Sequence, residues 1–104
     1  MTERIVCTAT LWRWTGGSGA GTWHFLTISG AAGEVLSATA LMRKLESSGR
    51  GFGSLKVVAS IGDSRWKTSV FPARSGGWML PVKAAVRKAE GIDDGDEVET
   101  ALEF

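Results

Sequence analysis

From Arg4 to Trp14 the chain alternates, with Ile5, Cys7, Ala9 and Leu11 on one face and Val6, Thr8, Thr10, Trp12 and Trp14 on the other. A period of two predicts a strand, here with large side chains on both faces. The next segment, TGGSGAG at Thr15 to Gly21, has no period and four glycines. It reads as a connection into a second strand, Thr22 to Ile28, so that the first two strands form a hairpin.

The period then changes. Val35, Ala38, Leu41, Met42 and Leu45 recur at three- and four-residue intervals, predicting a helix over 31–48 that buries this stripe and stops at Gly49 and Gly51. Leu55 to Ile61 and Arg65 to Phe71 predict a second hairpin around Gly62-Asp63, a pair that tolerates positive φ. Pairing Ile61 with Ser64 sets Ala59 opposite Trp66, Val57 opposite Thr68 and Leu55 opposite Val70 on the core face. Lys56, Ser60, Arg65, Lys67 and Ser69 share the other face.

Pro72 is expected to interrupt this strand, because it cannot donate to a ladder. After the Ser75-Gly76-Gly77 turn, Trp78 to Leu80 reads as a short strand and Pro81 as the first residue of a helix, where its fixed φ is favourable. Val82, Ala85, Val86 and Ala89 form the expected buried stripe of that helix. Lys83 and Arg87 project together one turn apart, and Gly91 with Ile92 supplies the stop. Asp94-Gly95 turns the chain into a last strand, Glu97 to Phe104, with Val98, Thr100, Leu102 and Phe104 on one face.

These elements make one domain over residues 1–104, with fold class mainly β: a small closed barrel of about six strands with two helices. The chain of 104 residues is long enough for one core and too short for two. Composition adds exclusions. A formal charge of +1 lacks the basic excess that grips phosphate backbones, which argues against nucleic acid as a partner. No run approaches the roughly 20 apolar residues that span a bilayer, and Met1 to Trp14 lacks a signal-peptide pattern, so a cytoplasmic domain without a membrane partner is expected. Cys7, the single cysteine, has no metal-spaced neighbours and reads as a core thiol.

Candidate chemistry is sparse. The glycines at 16–21 are followed by strand rather than by Lys-Ser/Thr and a helix, so they read as a hairpin tip and not a phosphate loop. His24 is the single histidine; Ser69 and Cys7 are its only notional nucleophilic partners, and no spacing supports either. Asp93, Asp94 and Asp96 lack the loop length and terminal glutamate of an EF-hand and read as turn formers. Neither a catalytic set, a metal site nor a cofactor motif emerges, and the reading leans away from an enzyme. The five tryptophans all lie in or beside strands and are expected chiefly to pack the interior, with one or two left over to line a ligand site or face a partner, because both faces of the first strand cannot point into one barrel. Lys67, Ser69, Arg74, Lys83 and Arg87 are the residues that folding leaves unexplained. Together with Trp66 and Trp78 they form the candidate ligand-binding set, as an anion-binding patch.

The segments WHFLTI (Trp23 to Ile28), RGFGSLKV (Arg50 to Val57), WKTSVFP (Trp66 to Pro72) and LPVKAAVRKAEGIDDGDEV (Leu80 to Val98) together closely resemble an uncharacterised bacterial domain family, the domain of unknown function DUF1905. The resemblance spans nearly the whole chain and implies a small closed β-barrel with helices, in some members fused to an OmpD-associated, bacteriocin-protection-type domain. It carries over no catalytic residue. ISGAAG at Ile28 to Gly33 replaces the Leu-Pro pair that often follows the second strand in that family, which leaves the start of the first helix open. Leu80 to Leu102 is also similar to the half-barrel of AbrB and MazE-type regulators, which bind DNA as swapped dimers. The expected function is a non-catalytic binding or accessory domain, monomer or homodimer, taking a small molecule or a protein in a barrel pocket or basic patch. The alternative is an AbrB/antitoxin-like DNA-binding regulator.

Overall fold

The alternating segments close into a barrel of six antiparallel strands in the order β1-β2-β5-β4-β3-β6. The computed structural model describes residues 3–16, 21–46, 53–74 and 76–104. The strands are β1 (Arg4–Thr15), β2 (Thr22–Ile28), β3 (Leu55–Ile61), β4 (Ser64–Pro72), β5 (Trp78–Pro81) and β6 (Glu97–Glu103). Helix α1 (Gly30–Glu46) crosses from β2 to β3, and α2 (Ala84–Glu90) follows β5. The tip of the first hairpin at 17–20, the stops at Gly49 and Gly51, the start of the Arg50 motif and Ser75 lie outside the described residues.

Two strands change partner part-way, and this shapes the molecule. Strand β1 pairs with β6 from Arg4 to Thr10 and with β2 from Leu11 to Thr15. Strand β4 pairs with β3 from Ser64 to Val70 but with β5 only at Phe71 and Pro72. Strands that switch sheets form the corners of a flattened barrel, and beyond such a corner their former neighbours diverge. The hairpin register is the expected one, with Ile61↔Ser64, Ala59↔Trp66, Val57↔Thr68 and Leu55↔Val70. The inward positions of all six strands, among them Leu11, Leu26, Val57, Trp66, Leu80 and Leu102, make one core. Thr100 donates its hydroxyl to Ser60 O at 3.0 Å, which satisfies the polar atom that β6 turns inward.

Three expectations are corrected. First, α1 buries Gly33 and Leu36, with Val35 and Ala40 half-buried, while Ala38, Leu41, Met42 and Leu45 are exposed. A Cβ on Gly33 would stand 2.9 Å from Ile28 O, so this turn rests directly on the end of β2. The contact face is therefore set by a missing side chain rather than by the apolar stripe. Secondly, Pro72 does not interrupt β4: it is the last residue of the strand, paired with Trp78, where the ladder to β5 already ends. Thirdly, Pro81 ends β5 rather than starting the helix. Val82 still gives its N–H to His24 O at 2.9 Å, and α2 begins at Ala84 after Lys83, which has extended dihedrals. Val82 and Val86 are buried, whereas Ala85 and Ala89 face solvent. The stop at Gly91 is as expected, with φ 63° and its N–H donated to Arg87 O.

Candidate functional site

The divergence of β4 from β5 opens a recess of about 460 Å³, which α2 covers on one side. It is lined by Thr22, Trp23 and His24 of β2, Trp66, Lys67 and Thr68 of β4, and the stretch Pro81 to Ala84 with Arg87. That volume is in the range of small-ligand sites. Of the candidate set, Trp66, Lys67, Lys83 and Arg87 meet here. Ser69 lines a separate, more open recess with Arg43, Lys56 and Arg65. Arg74 lies in the turn beyond Pro72 and lines neither recess. Trp78 is a core residue whose Nε1–H is donated to Ser37 Oγ at 2.9 Å, and it faces a third recess beside α1.

Several local contacts fix the recess. Val82 is held at both ends: its N–H goes to His24 O, and its carbonyl accepts Arg87 Nε–H at 3.2 Å. Ser64 donates to Glu90 Oε2 at 2.6 Å, which ties the end of α2 to the tip of the β3–β4 hairpin. The Asp93–Asp96 turn organises itself through backbone N–H groups donated to its own carboxylates, Asp93 N–H to Asp96 Oδ2 and Asp94 N–H to Asp93 Oδ1, each at 2.8 Å. It docks on β1 through Gly95 N–H to Leu11 O and Arg13 N–H to Asp94 Oδ1. These carboxylates are committed to building the turn.

His24 is the member that sequence reasoning missed. It points into the barrel, 8% exposed, with Arg87 Nη1 3.4 Å from its Nε2. A guanidinium only donates, so Nε2 accepts and the neutral ring carries its proton on Nδ1. Among the described residues, that Nδ1 is buried without a hydrogen-bond partner. Asp93 Oδ1 stands 4.0 Å from the same Nε2, on a side chain that is 85% exposed and already accepts a backbone N–H. Burial holds the imidazole pKa below its ordinary value, and the charge of Arg87 pushes the same way, with Asp93 and Asp94 opposing and Arg13 adding to the depression. Nothing local in sequence announces this pairing, since the residues are 63 positions apart. The even spacing of His24, Leu26 and Ile28 on the inward face of β2 was the available signal.

Beside the recess, on the outside of the barrel, the outward side chains of β1, β2, β4 and β5 form an aromatic shelf. Trp12, Trp14, Trp23, Phe25, Phe71, Met79 and Pro81 line a depression of about 560 Å³. Trp12 and Phe25 are in contact at 5.2 Å between centroids, and Trp23 lies nearly parallel to Phe25 at 6.3 Å.

Residues 8–102 match the model of a family described as Domain of unknown function (DUF1905). No curated protein matches the chain.

Proposed function

The chain belongs to the DUF1905 family of domains of unknown function, and we propose that it is a non-catalytic binding domain that receives an anionic group in the recess between β4 and α2. The observation that carries this reading is the placement of Arg87 against buried His24, with Lys67 and Lys83 lining the same recess. A neutral histidine with an orphaned Nδ1–H, set under a guanidinium, gains the fold nothing: an unmade buried hydrogen bond costs about 1–3 kcal/mol. Such an arrangement makes sense where a negative charge arrives and is shared by the cations. Arg87 spends its Nε–H and one Nη1–H on Val82 and His24, and its remaining donors have no partner among the described residues. Buried Trp66 contributes an apolar wall to the same recess.

The test is calorimetric titration with inorganic phosphate at low salt, where a Kd of about 1 mM is expected. The double variant Lys83→Glu, Arg87→Glu should bind at least about tenfold more weakly, because each charge-assisted contact is worth about 1.5–3 kcal/mol. Equal binding by variant and wild type overturns the reading. The DNA-binding alternative draws on the C-terminal half-barrel pattern. In this chain Leu80 to Leu102 is used to close a barrel from a single chain, and β6 pairs with its own β1 and β3. A gel shift near about 50 mM salt, where phosphate contacts are strongest, returns no complex if the small-anion reading is right.

A further inference from the structure

The recess and the aromatic shelf are not separate features. Trp23 and Pro81 line both, because β2 alternates: His24 enters the recess while Trp23 and Phe25 turn outward, and β5 leaves the ladder at Pro81 between the two. The shelf itself carries no charged side chain. Trp12, at its edge, donates Nε1–H to Thr27 Oγ1 at 2.9 Å. Trp14, Trp23 and Phe71 are nonetheless 44%, 52% and 43% exposed. The lining is thus apolar along the shelf, with Lys83 and Arg87 at the end it shares with the recess. Building on the anion-binding reading above, we infer that the ligand is a small amphipathic anion, with a planar ring that lies on the Trp23–Phe25–Phe71 shelf and a phosphate or carboxylate that reaches Lys83 and Arg87.

The form of the molecule argues for this occupant. The β1-β2 and β2-β5 ladders run continuously beneath the shelf, so a peptide cannot add there as an extra strand. Recognition must come from side chains. Stacked aromatic rings favour a flat, polarisable partner. Charge at one end alone suits a ligand with its own charge at one end, whereas an extended polyanion would cross an uncharged shelf.

The experiment compares 1-naphthyl phosphate, inorganic phosphate and 1-naphthol by calorimetry. Naphthyl phosphate should bind at least about fivefold more tightly than inorganic phosphate, the low end of what stacking on an aromatic side chain adds. Phe71→Ala, at a residue that lines the shelf and not the recess, should reduce that advantage and leave inorganic phosphate unchanged, and Trp23→Ala, at a residue that lines both, should remove most of it. Lys83→Glu, Arg87→Glu should weaken both phosphates and leave naphthol as it was. If inorganic phosphate binds but the naphthyl group adds nothing, or if Trp23→Ala and Phe71→Ala both leave its advantage intact, the ring inference is wrong while the anion site stands. If naphthol binds as well as naphthyl phosphate and inorganic phosphate does not bind at all, the anion site itself is wrong. A dimer in sedimentation that Trp23→Ser dissociates, with no naphthyl advantage in either form, assigns the shelf to a second copy of the chain and overturns the inference.

Discussion

At the level of single residues, His24 concentrates the electrostatics of the fold. Its pKa is held down by burial first and Arg87 second, so the unfolded chain takes up a proton more readily than the folded one. Stability from this residue is therefore complete above the ordinary value of 6.5 and declines as pH falls from there through the lower folded value. The groups that face it are Arg87 on α2, Asp93 and Asp94 in the following turn and Arg13 on β1. Thermal melts between pH 8 and 5 should show a smaller loss of Tm in His24→Gln, and in Arg87→Gln, than in wild type; parallel profiles would refute the assignment. Cys7, half-buried on the inner side of β1, has its thiol pKa raised by burial. It should react with a disulfide reagent at pH 8 markedly more slowly in the folded protein than in denaturant, and equal rates would contradict the inward placement.

Among the elements, what was legible depended on whether side chains or their absence set the contact. The β3–β4 hairpin could be read down to its register because alternation and Gly62-Asp63 fix the same pairing independently, and Gly62 takes a φ of 56°. In α1 the apolar stripe through Leu41, Met42 and Leu45 led to the wrong face, because close approach at Gly33 needs the lack of a Cβ, which a count of hydrophobic residues does not see. Gly77 plays the matching part from the β4–β5 loop, where a Cβ would lie 2.6 Å from the same Ile28 carbonyl. Denaturant titration should separate the faces. Leu36→Ala is expected to cost about 2–5 kcal/mol, and Leu41→Ala, on the exposed face, within about 0.5 kcal/mol of zero. Gly33→Ala should destabilise by about 1–3 kcal/mol through overpacking, although alanine favours helix. A neutral or stabilising Gly33→Ala would show that α1 does not sit where it is described. Pro81 was misassigned for a different reason: the same fixed φ suits the first turn of a helix and the last position of a strand, and only the Val82 to His24 hydrogen bond decides between them.

Taken as a whole, the molecule hides strong polarity behind a charge of +1. Residues 93–103 contain six acids and no base, while Arg43, Lys56, Arg65, Lys67, Lys83 and Arg87 gather around β3, β4 and α2, where Arg65 donates to Glu103 at 3.1 Å. Net charge could not show this gathering, because closure of the barrel brings together strands distant in sequence. The same closure brings Lys67 and Trp66 of β4 to Lys83 and Arg87 beside α2 in one recess, while His24 and the outer shelf were not legible in the sequence. Those depend on β2 meeting β5 and α2 across the chain. It also turns Trp78 toward a different recess and Ser69 into the more open one, which Lys67 lines as well as the His24–Arg87 recess.

The central claim is that the His24–Arg87 recess, and not the more open basic surface around Arg43, Lys56 and Arg65, takes the anion. Amide NMR shifts during titration with inorganic phosphate, with the His24 ring followed in the same samples, test it most directly. The expected result is perturbation concentrated at Thr22–His24, Trp66–Thr68 and Val82–Arg87, together with a rise in the His24 pKa as the bound charge offsets Arg87. Shifts confined to Lys56, Arg65 and Ser69 with an unmoved His24 pKa would contradict it.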